Sequence, residues 1–369
     1  MGVSYFLPKN QLSLELELER IESDSEAKAL LFLMAENNQY SESELISAFN
    51  KLSKPLIGGV FPEVLFKGER KKEGIVLIQL DFRIKTQLID LEDYNTANPI
   101  PFDFSLIEGD RNQNSLFIFA DALSKNKNGF IQSVFNCFGI NTTYLGGGAG
   151  SLSFYKTPCI ITNNGIYQDA AVIGWTDKKI ALGAAHGWEA ITNPMKVTHA
   201  SGNLLNQINW KPAFEVYKEI VENHSGREFN ESNFFQIAKS YPLGMSKIDG
   251  EQIVRDPIMR KEDSLQIIDA IEEGEYISVL HGDIDSLLAG AEKAKEIALS
   301  KQDNSMNLSR IFCIDCISRA LFMQSDFNKE LEIIAENTEV NGILSIGEIA
   351  NSKDSYLEIY NKTIVVGIW

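Results

Sequence analysis

The sequence predicts a mixed α/β (α+β) fold: two similar-sized domains of mixed, largely antiparallel sheets, packed together and covered by helices. Three observations lead there. The chain has 369 residues, of which 44% are hydrophobic and 23% charged, an ordinary globular composition too long for a single core. Short apolar runs without polar alternation recur among helix-like stretches, as expected of strands covered on both faces. Turn signals between other runs suggest paired antiparallel strands.

The elements follow in order. Leu12 to Glu22 (LSLELELERIE) reads as a helix, since Leu and Glu favour helix over strand. Ala29 to Ala35 (ALLFLMA) reads as a buried strand. Ser41 to Leu52 follows as a helix, opened by a capping box from Ser41 to Glu44 and stopped by Pro55. PLIGGVF and Gly74 to Phe82 (GIVLIQLDF) read as strands. Asn95 to Asn114, with Pro99 and Pro101, reads as a loop. Ser115 to Asp121 resumes as a strand and Asn128 to Phe138 as a helix. Turns at Asn163-Asn164-Gly165 and Asp177-Lys178-Lys179 divide the strands that follow. A boundary near Asn193-Pro194 separates a domain of residues 1–192 from one of 193–369. In the second, Ala213 to Asn223 and Ile284 to Ser300 read as helices. RIFCIDC reads as a strand running into a helix at SRALFMQ, and the chain ends in strands.

Composition narrows the function. A net charge of −17 argues against a broad phosphate-contacting or lipid-adsorbing surface. No apolar run reaches the length of a membrane span, and the start, MGVSYFLPKN, lacks a signal-peptide pattern. A cytoplasmic protein is expected. The 4 cysteines do not resemble a secreted disulfide framework.

Cys313 and Cys316 are spaced C-x-x-C, yet no second ligand pair exists to complete a zinc site. Cys313 belongs to the strand as a core residue, whereas Cys316 falls at the strand-to-helix junction beside Arg319. Cys316 reads either as a core cysteine or as a reactive thiol. The glycines Gly146, Gly147 and Gly148 read either as a tight connection or as a loop whose N–H groups cradle an anion. They match neither the Walker A loop nor the dinucleotide fingerprint. Glu348, in the apolar segment ILSIGEIA, needs a partner, for which Arg319 or Arg255 would serve. It reads either as half of a structural ion pair or as a functional carboxylate. No nucleophile elbow is present, and His186 reads as a packed or surface histidine.

The order of these segments is more informative than any one. GGGAG precedes CIITNNGIYQDAAVIGW, then HASGNLLNQINWKPAFEVYKEIV, YPLGM and IVRD, then Cys316-x-x-Arg319, GILSIGEIA and a terminal YNKTIVV. From about Ala29 to the end, this order resembles the FIST family, with its N-terminal and C-terminal domains. The resemblance implies an intracellular sensory or signal-transduction role in which a small ligand is bound, amino acids being the candidate class. It also implies partner recognition of the kind such domains serve in some F-box proteins. The family's Cys-x-x-Arg falls on Cys316 and Arg319, its Gly-Glu on Gly347 and Glu348, and its Asn-x-Thr on Asn361 and Thr363. Tyr360 stands where many members have His, and Cys313 has no counterpart.

The expectation is a sensor binding a small polar ligand between its two domains, without chemical change and without metal or cofactor. Its expected ligand-binding residues are Gly146, Gly147, Gly148, Arg255, Cys316, Arg319, Glu348, Asn361 and Thr363. Two other classes stay open: a thiol-dependent enzyme using Cys316, and a protein-binding adaptor.

Overall fold

The computed structural model describes residues 2–7, 11–92, 102, 114–230, 232–246, 252–302, 310–351 and 356–369. Apart from Phe102 and Asn114, the expected loop at Asn95 to Asn114 lies outside them. The class is the expected one, mixed helix and strand with mostly antiparallel pairing.

The first segment runs β1 (Val3–Phe6), α1 (Gln11–Ser23), β2 (Ala29–Ala35), α2 (Glu42–Phe49), β3 (Leu56–Phe61), β4 (Glu63–Phe66), β5 (Glu69–Lys71) and β6 (Ile75–Leu80). The second runs β7 (Lys85–Asp90), β8 (Ser115–Asp121), α3 (Lys127–Phe138), β9 (Thr143–Ala149), β10 (Ile160–Thr162), β11 (Gly165–Tyr167) and β12 (Ala170–Thr176). The third opens with β13 (Ala181–Ala185). A long insertion follows: β14 (Glu189–Ala190), β15 (Met195–Ser201), β16 (Leu204–Ile208), β17 (Lys211–Pro212), α4 (Ala213–Ser225), α5 (Phe234–Ala238), β18 (Leu243–Met245), β19 (Ile253–Arg255), β20 (Pro257–Lys261), β21 (Ser264–Ile267) and β22 (Tyr276–His281). The segment then resumes with α6 (Ile284–Ser300), β23 (Arg310–Cys316), α7 (Ile317–Met323), α8 (Phe327–Ala335), β24 (Glu339–Ser345), β25 (Glu348–Asn351), β26 (Leu357–Tyr360) and β27 (Ile364–Ile368).

Three six-stranded sheets are built to one plan, with orders β1-β6-β2-β3-β10-β11, β7-β12-β8-β9-β25-β26 and β13-β27-β23-β24-β4-β5. In each, a parallel pair (β2 and β3, β8 and β9, β23 and β24) is joined through helix. This crossover is the connection parallel strands require. On one side lies an antiparallel strand from the same segment. On the other lies a hairpin donated by a different one: β4–β5 joins the third sheet, β10–β11 the first and β25–β26 the second. The exchange closes on itself. It also draws the N-terminal and C-terminal halves of the chain into shared sheets, while the insertion forms a separate nine-stranded sheet.

Register confirms the threefold plan. Gly58, Gly146 and Gly342 each sit three residues before the last residue of the second parallel strand, beside the carbonyls of Phe32, Ile118 and Cys313. A Cβ added at these glycines would lie 1.8, 1.7 and 1.8 Å from those oxygens. Cys313 therefore occupies the place of Phe32 and Ile118, and all three are completely buried.

The helices follow local rules. Ser41 caps α2 with the expected box: its Oγ accepts the Glu44 N–H, and the Glu44 carboxylate accepts the Ser41 N–H. Leu14, Leu18 and Ile21 of α1 are buried. Leu287, Ala291, Ala294 and Ala298 form the buried stripe of α6, which packs on β13.

Candidate functional site

A concentration of buried polar groups lies where β23 and β24 end together, with Cys316 opposite Ser345. Residues 346–347 carry the chain from β24 into the next sheet, and Gly347 takes a φ of 91° that favours glycine there. Glu348 begins β25, pairs with Gly147 of β9 across the strands, and is completely buried.

Among the described residues, no arginine hydrogen-bonds the Glu348 carboxylate. It accepts the Ser345 hydroxyl at 2.8 Å and the Thr363 N–H at 3.3 Å, and the Cys316 thiol is a further partner. Burial raises its pKa to about 8, opposed by the hydrogen bonds from Ser345, Thr363 and Cys316 and by the more distant charge of Arg319. The expected Arg–Glu348 pair is thus replaced by a cradle of neutral donors. Glu348 faces Gly147 in its sheet. The equivalent positions in the other two sheets, facing Gly59 and Ile343, hold Ile160 and Val64, both completely buried. A carboxylate stands where the fold otherwise places core hydrocarbon.

Cys316 lies at the N-cap of α7, as its position at the junction predicts. Its Sγ is 3.0 Å from the Ser318 Oγ. Burial, then the nearby Glu348 charge, push the thiol well above its ordinary pKa. This is the reverse of an activated thiolate.

Arg319 is completely buried and every guanidinium nitrogen has a protein acceptor. Nη1 donates to the carbonyls of His186 at 2.6 Å and Lys362 at 3.4 Å. Nη2 donates to Leu287 O at 3.0 Å and to Glu330, and Nε donates to the same carboxylate. Asp315 approaches Nε at 3.2 Å as a charge contact rather than a directed hydrogen bond. Burial, then Glu330, drive the Asp315 carboxyl well above its usual range, as expected when two carboxyls share one cation. Arg319 therefore clamps α7 to α8, the start of α6, the segment that follows β13 and the turn before β27. Its donors are already engaged, which does not leave it the carboxylate-holding role expected from sequence.

The glycine segment is not a loop either. Gly146, Gly147 and Gly148 lie inside β9, and the Gly148 N–H donates to Gly347 O at 2.8 Å. Their small size serves close approach: a Cβ at Gly147 would come within 2.8 Å of the Ser345 Cβ, and one at Gly148 within 2.2 Å of Ile346 O. The glycines bring the second sheet against the end of the third, and no open anion cradle results.

The inserted sheet supplies the other wall. Arg255 Nη1 donates to Ile359 O and Val254 O, both at 3.1 Å, while its buried Nε lacks a hydrogen-bond partner. Asn361 donates to Asp269 at 2.8 Å. Burial opposes the Asp269 charge, but Lys127, Arg255 and Asn361 hold its pKa below the usual range. Thr363 Oγ1 donates to Asn361 O. Lys362, nearly fully buried, lies 3.3 Å from Asp256 and over the Trp188 ring. The structure thus gathers Cys316, Glu348, Asn361 and Thr363, with Gly147 and Gly148 alongside and Arg255 at the next strand. Sequence reasoning missed Asp315, Ser345, Glu330, Asp269 and Lys362. Only Asp315, a carboxylate inside the apolar run IFCIDC, carried a legible signal.

Comparison with known proteins identifies the family of the chain. A model of the FIST N domain matches residues 29–211, and one of the FIST C domain matches residues 213–351. An uncharacterised protein of Methanocaldococcus jannaschii is 24% identical over 179 residues, covering 44% of this chain. The match spans about a third of that relative's length (33%).

Proposed function

The chain belongs to the FIST family, whose domains are generally sensory and signal-transduction domains, and from that premise we propose that it senses a small polar ligand by binding it at the Glu348 seam. The ligand class is an amino acid or a close analogue. Glu348 receives its ammonium group, and the free Nε–H of Arg255 helps to receive its carboxylate. Cys316, Asn361 and Thr363 complete the wall, and Arg319 holds the wall in place. Binding proceeds without chemistry on the ligand, in the cytoplasm, and is read by a signalling partner. No helix among the described residues is long and apolar enough to cross a membrane.

One observation carries the reading: a fully buried carboxylate, hydrogen-bonded among the described residues by neutral groups, stands where the two equivalent strands have Val64 and Ile160. Such an expensive arrangement in a core is a mark of a functional site. The test is a thermal-shift screen with free amino acids, their amines and their carboxylates. A stabilising amino acid is expected, with the shift lost in Glu348→Gln and reduced in Arg255→Met. A panel that leaves the melting temperature unmoved overturns the proposal.

A further inference from the structure

We propose that binding at the Glu348 seam expels a proton: the carboxyl is neutral while the seam is empty and gives its proton to solvent when a ligand ammonium arrives. The protein then responds to ligand and pH together. This rests on the function proposed above and adds its regulation.

The surroundings of Glu348 carry the inference. The side chain is completely buried, held by the Ser345 hydroxyl, the Thr363 N–H and the Cys316 thiol. Among the described residues, the nearby cations are engaged elsewhere. Arg319 of α7 donates to Glu330 of α8 and to the carbonyls of His186, Lys362 and Leu287. Lys362, before β27, lies 3.3 Å from Asp256 and donates to Lys239 O at 3.2 Å. Arg255 donates to two carbonyls, and Lys127 of α3 pairs with Asp269 at 2.9 Å. The titratable groups on β23 do not help. Burial raises the pKa of Cys313, Asp315 and Cys316, and the Glu348 charge raises each further. Across the strands, β26 presents Tyr360 and β9 presents Gly147, and neither is a cation. An ionised Glu348 therefore has dipoles around it but no countercharge of its own, and burial disfavours it. A pKa raised to about 8 agrees with that geometry.

An ammonium group supplies the missing charge, and its charge-assisted bond requires the ionised carboxylate. The Glu348 O–H breaks, its proton passes to the buffer, and an ammonium N–H, itself intact, takes its place against the oxygen. Affinity should rise about tenfold per pH unit below the Glu348 pKa of about 8 and level off above it.

The test adds an equimolar mixture of the common amino acids, adjusted to pH 7, to the lightly buffered full chain. Histidine and cysteine are omitted because they buffer near neutrality. An indicator dye reads proton release, and melting temperatures of the same samples read binding. Stabilisation with release of about one proton per chain is expected, together with greater stabilisation at pH 8 than at pH 6. Release should vanish in Glu348→Gln and persist in Asp315→Asn, with circular dichroism confirming that both fold. Stabilisation without release, or equal stabilisation at pH 6 and pH 8, overturns the coupling and leaves the proposed function standing. Release that survives in Glu348→Gln, or is lost in folded Asp315→Asn, overturns the assignment to Glu348. A mixture that stabilises at neither pH overturns the function and the coupling together.

Discussion

The Thr363 N–H donates to the Glu348 carboxylate at 3.3 Å, tying the turn before β27 to the first residue of a strand that belongs to another sheet. That bond replaces the charge partner a buried carboxylate would ordinarily require. It has a consequence for pH. Burial raises the Glu348 pKa to about 8, whereas an unfolded-chain glutamate titrates at about 4.3. The native state therefore binds this proton more tightly than the unfolded state. The associated stability is fully present below about pH 4.3 and is lost progressively as pH rises to about 8. Urea unfolding from pH 4.5 to 8.5 should show a decline that is ~2–5 kcal/mol smaller in Glu348→Gln than in the wild type, the remainder belonging to other buried carboxyls such as Asp315. Parallel pH curves for the two proteins would refute this.

Arg319 should matter for folding far more than for ligand contact. Removing it strands Glu330 and Asp315 in the core and leaves the His186 and Leu287 carbonyls without donors. Arg319→Met should lose about 3–5 kcal/mol in denaturant unfolding. Adding Glu330→Leu and Asp315→Leu should recover part of that loss, because the stranded charges go with it. A single-variant loss under ~1 kcal/mol would contradict the clamp.

The cysteines give a kinetic test. Cys137 is partly exposed, while Cys159, Cys313 and Cys316 are buried. Iodoacetamide should label Cys137 first and reach the other three only on unfolding, as mass spectrometry of tryptic peptides would show. Burial and Glu348 both raise the Cys316 thiol, so its labelling should be slower than that of free cysteine. Faster labelling would revive the thiol-enzyme reading.

Much of the local structure was legible because it obeys local rules. The Ser41 capping box, the apolar run of β2, the α6 stripe and the placement of Cys313 in the core all follow from periodicity and capping chemistry. The sheet exchange was not legible. The donated hairpins pair residues far apart in the chain, such as Glu348 with Gly147, and strand periodicity does not name a partner. The three segments repeat a topology without repeating residues: Val64, Ile160 and Glu348 share one position. Arg319 misled for a related reason. An arginine facing a ligand and one facing Glu330 look the same in sequence, and only the fold brings α8 beside α7.

The glycines misled as well, and they yield the last prediction. GGG suggests flexibility, yet Gly146 is inside a strand, where a Cβ would lie 1.7 Å from Ile118 O. The equivalent Gly58 and Gly342 meet Phe32 O and Cys313 O at 1.8 Å. The obstacle in each case is backbone of the adjacent parallel strand, which cannot rotate away as a side chain could. Relief requires spreading the two strands at the centre of the sheet. Gly58→Ala, Gly146→Ala and Gly342→Ala should therefore each destabilise by ~3 kcal/mol or more, as overpacking of a rigid core does. Gly68→Ala makes the contrast: its Cβ would meet nothing within 4 Å, and only its φ of 75° opposes the change, so a loss of about 1 kcal/mol is expected. Chemical denaturation of the four variants checks the ranking. Comparable losses at Gly68 and Gly146 would mean that backbone conformation, and not strand-to-strand contact, selects glycine at the shared position.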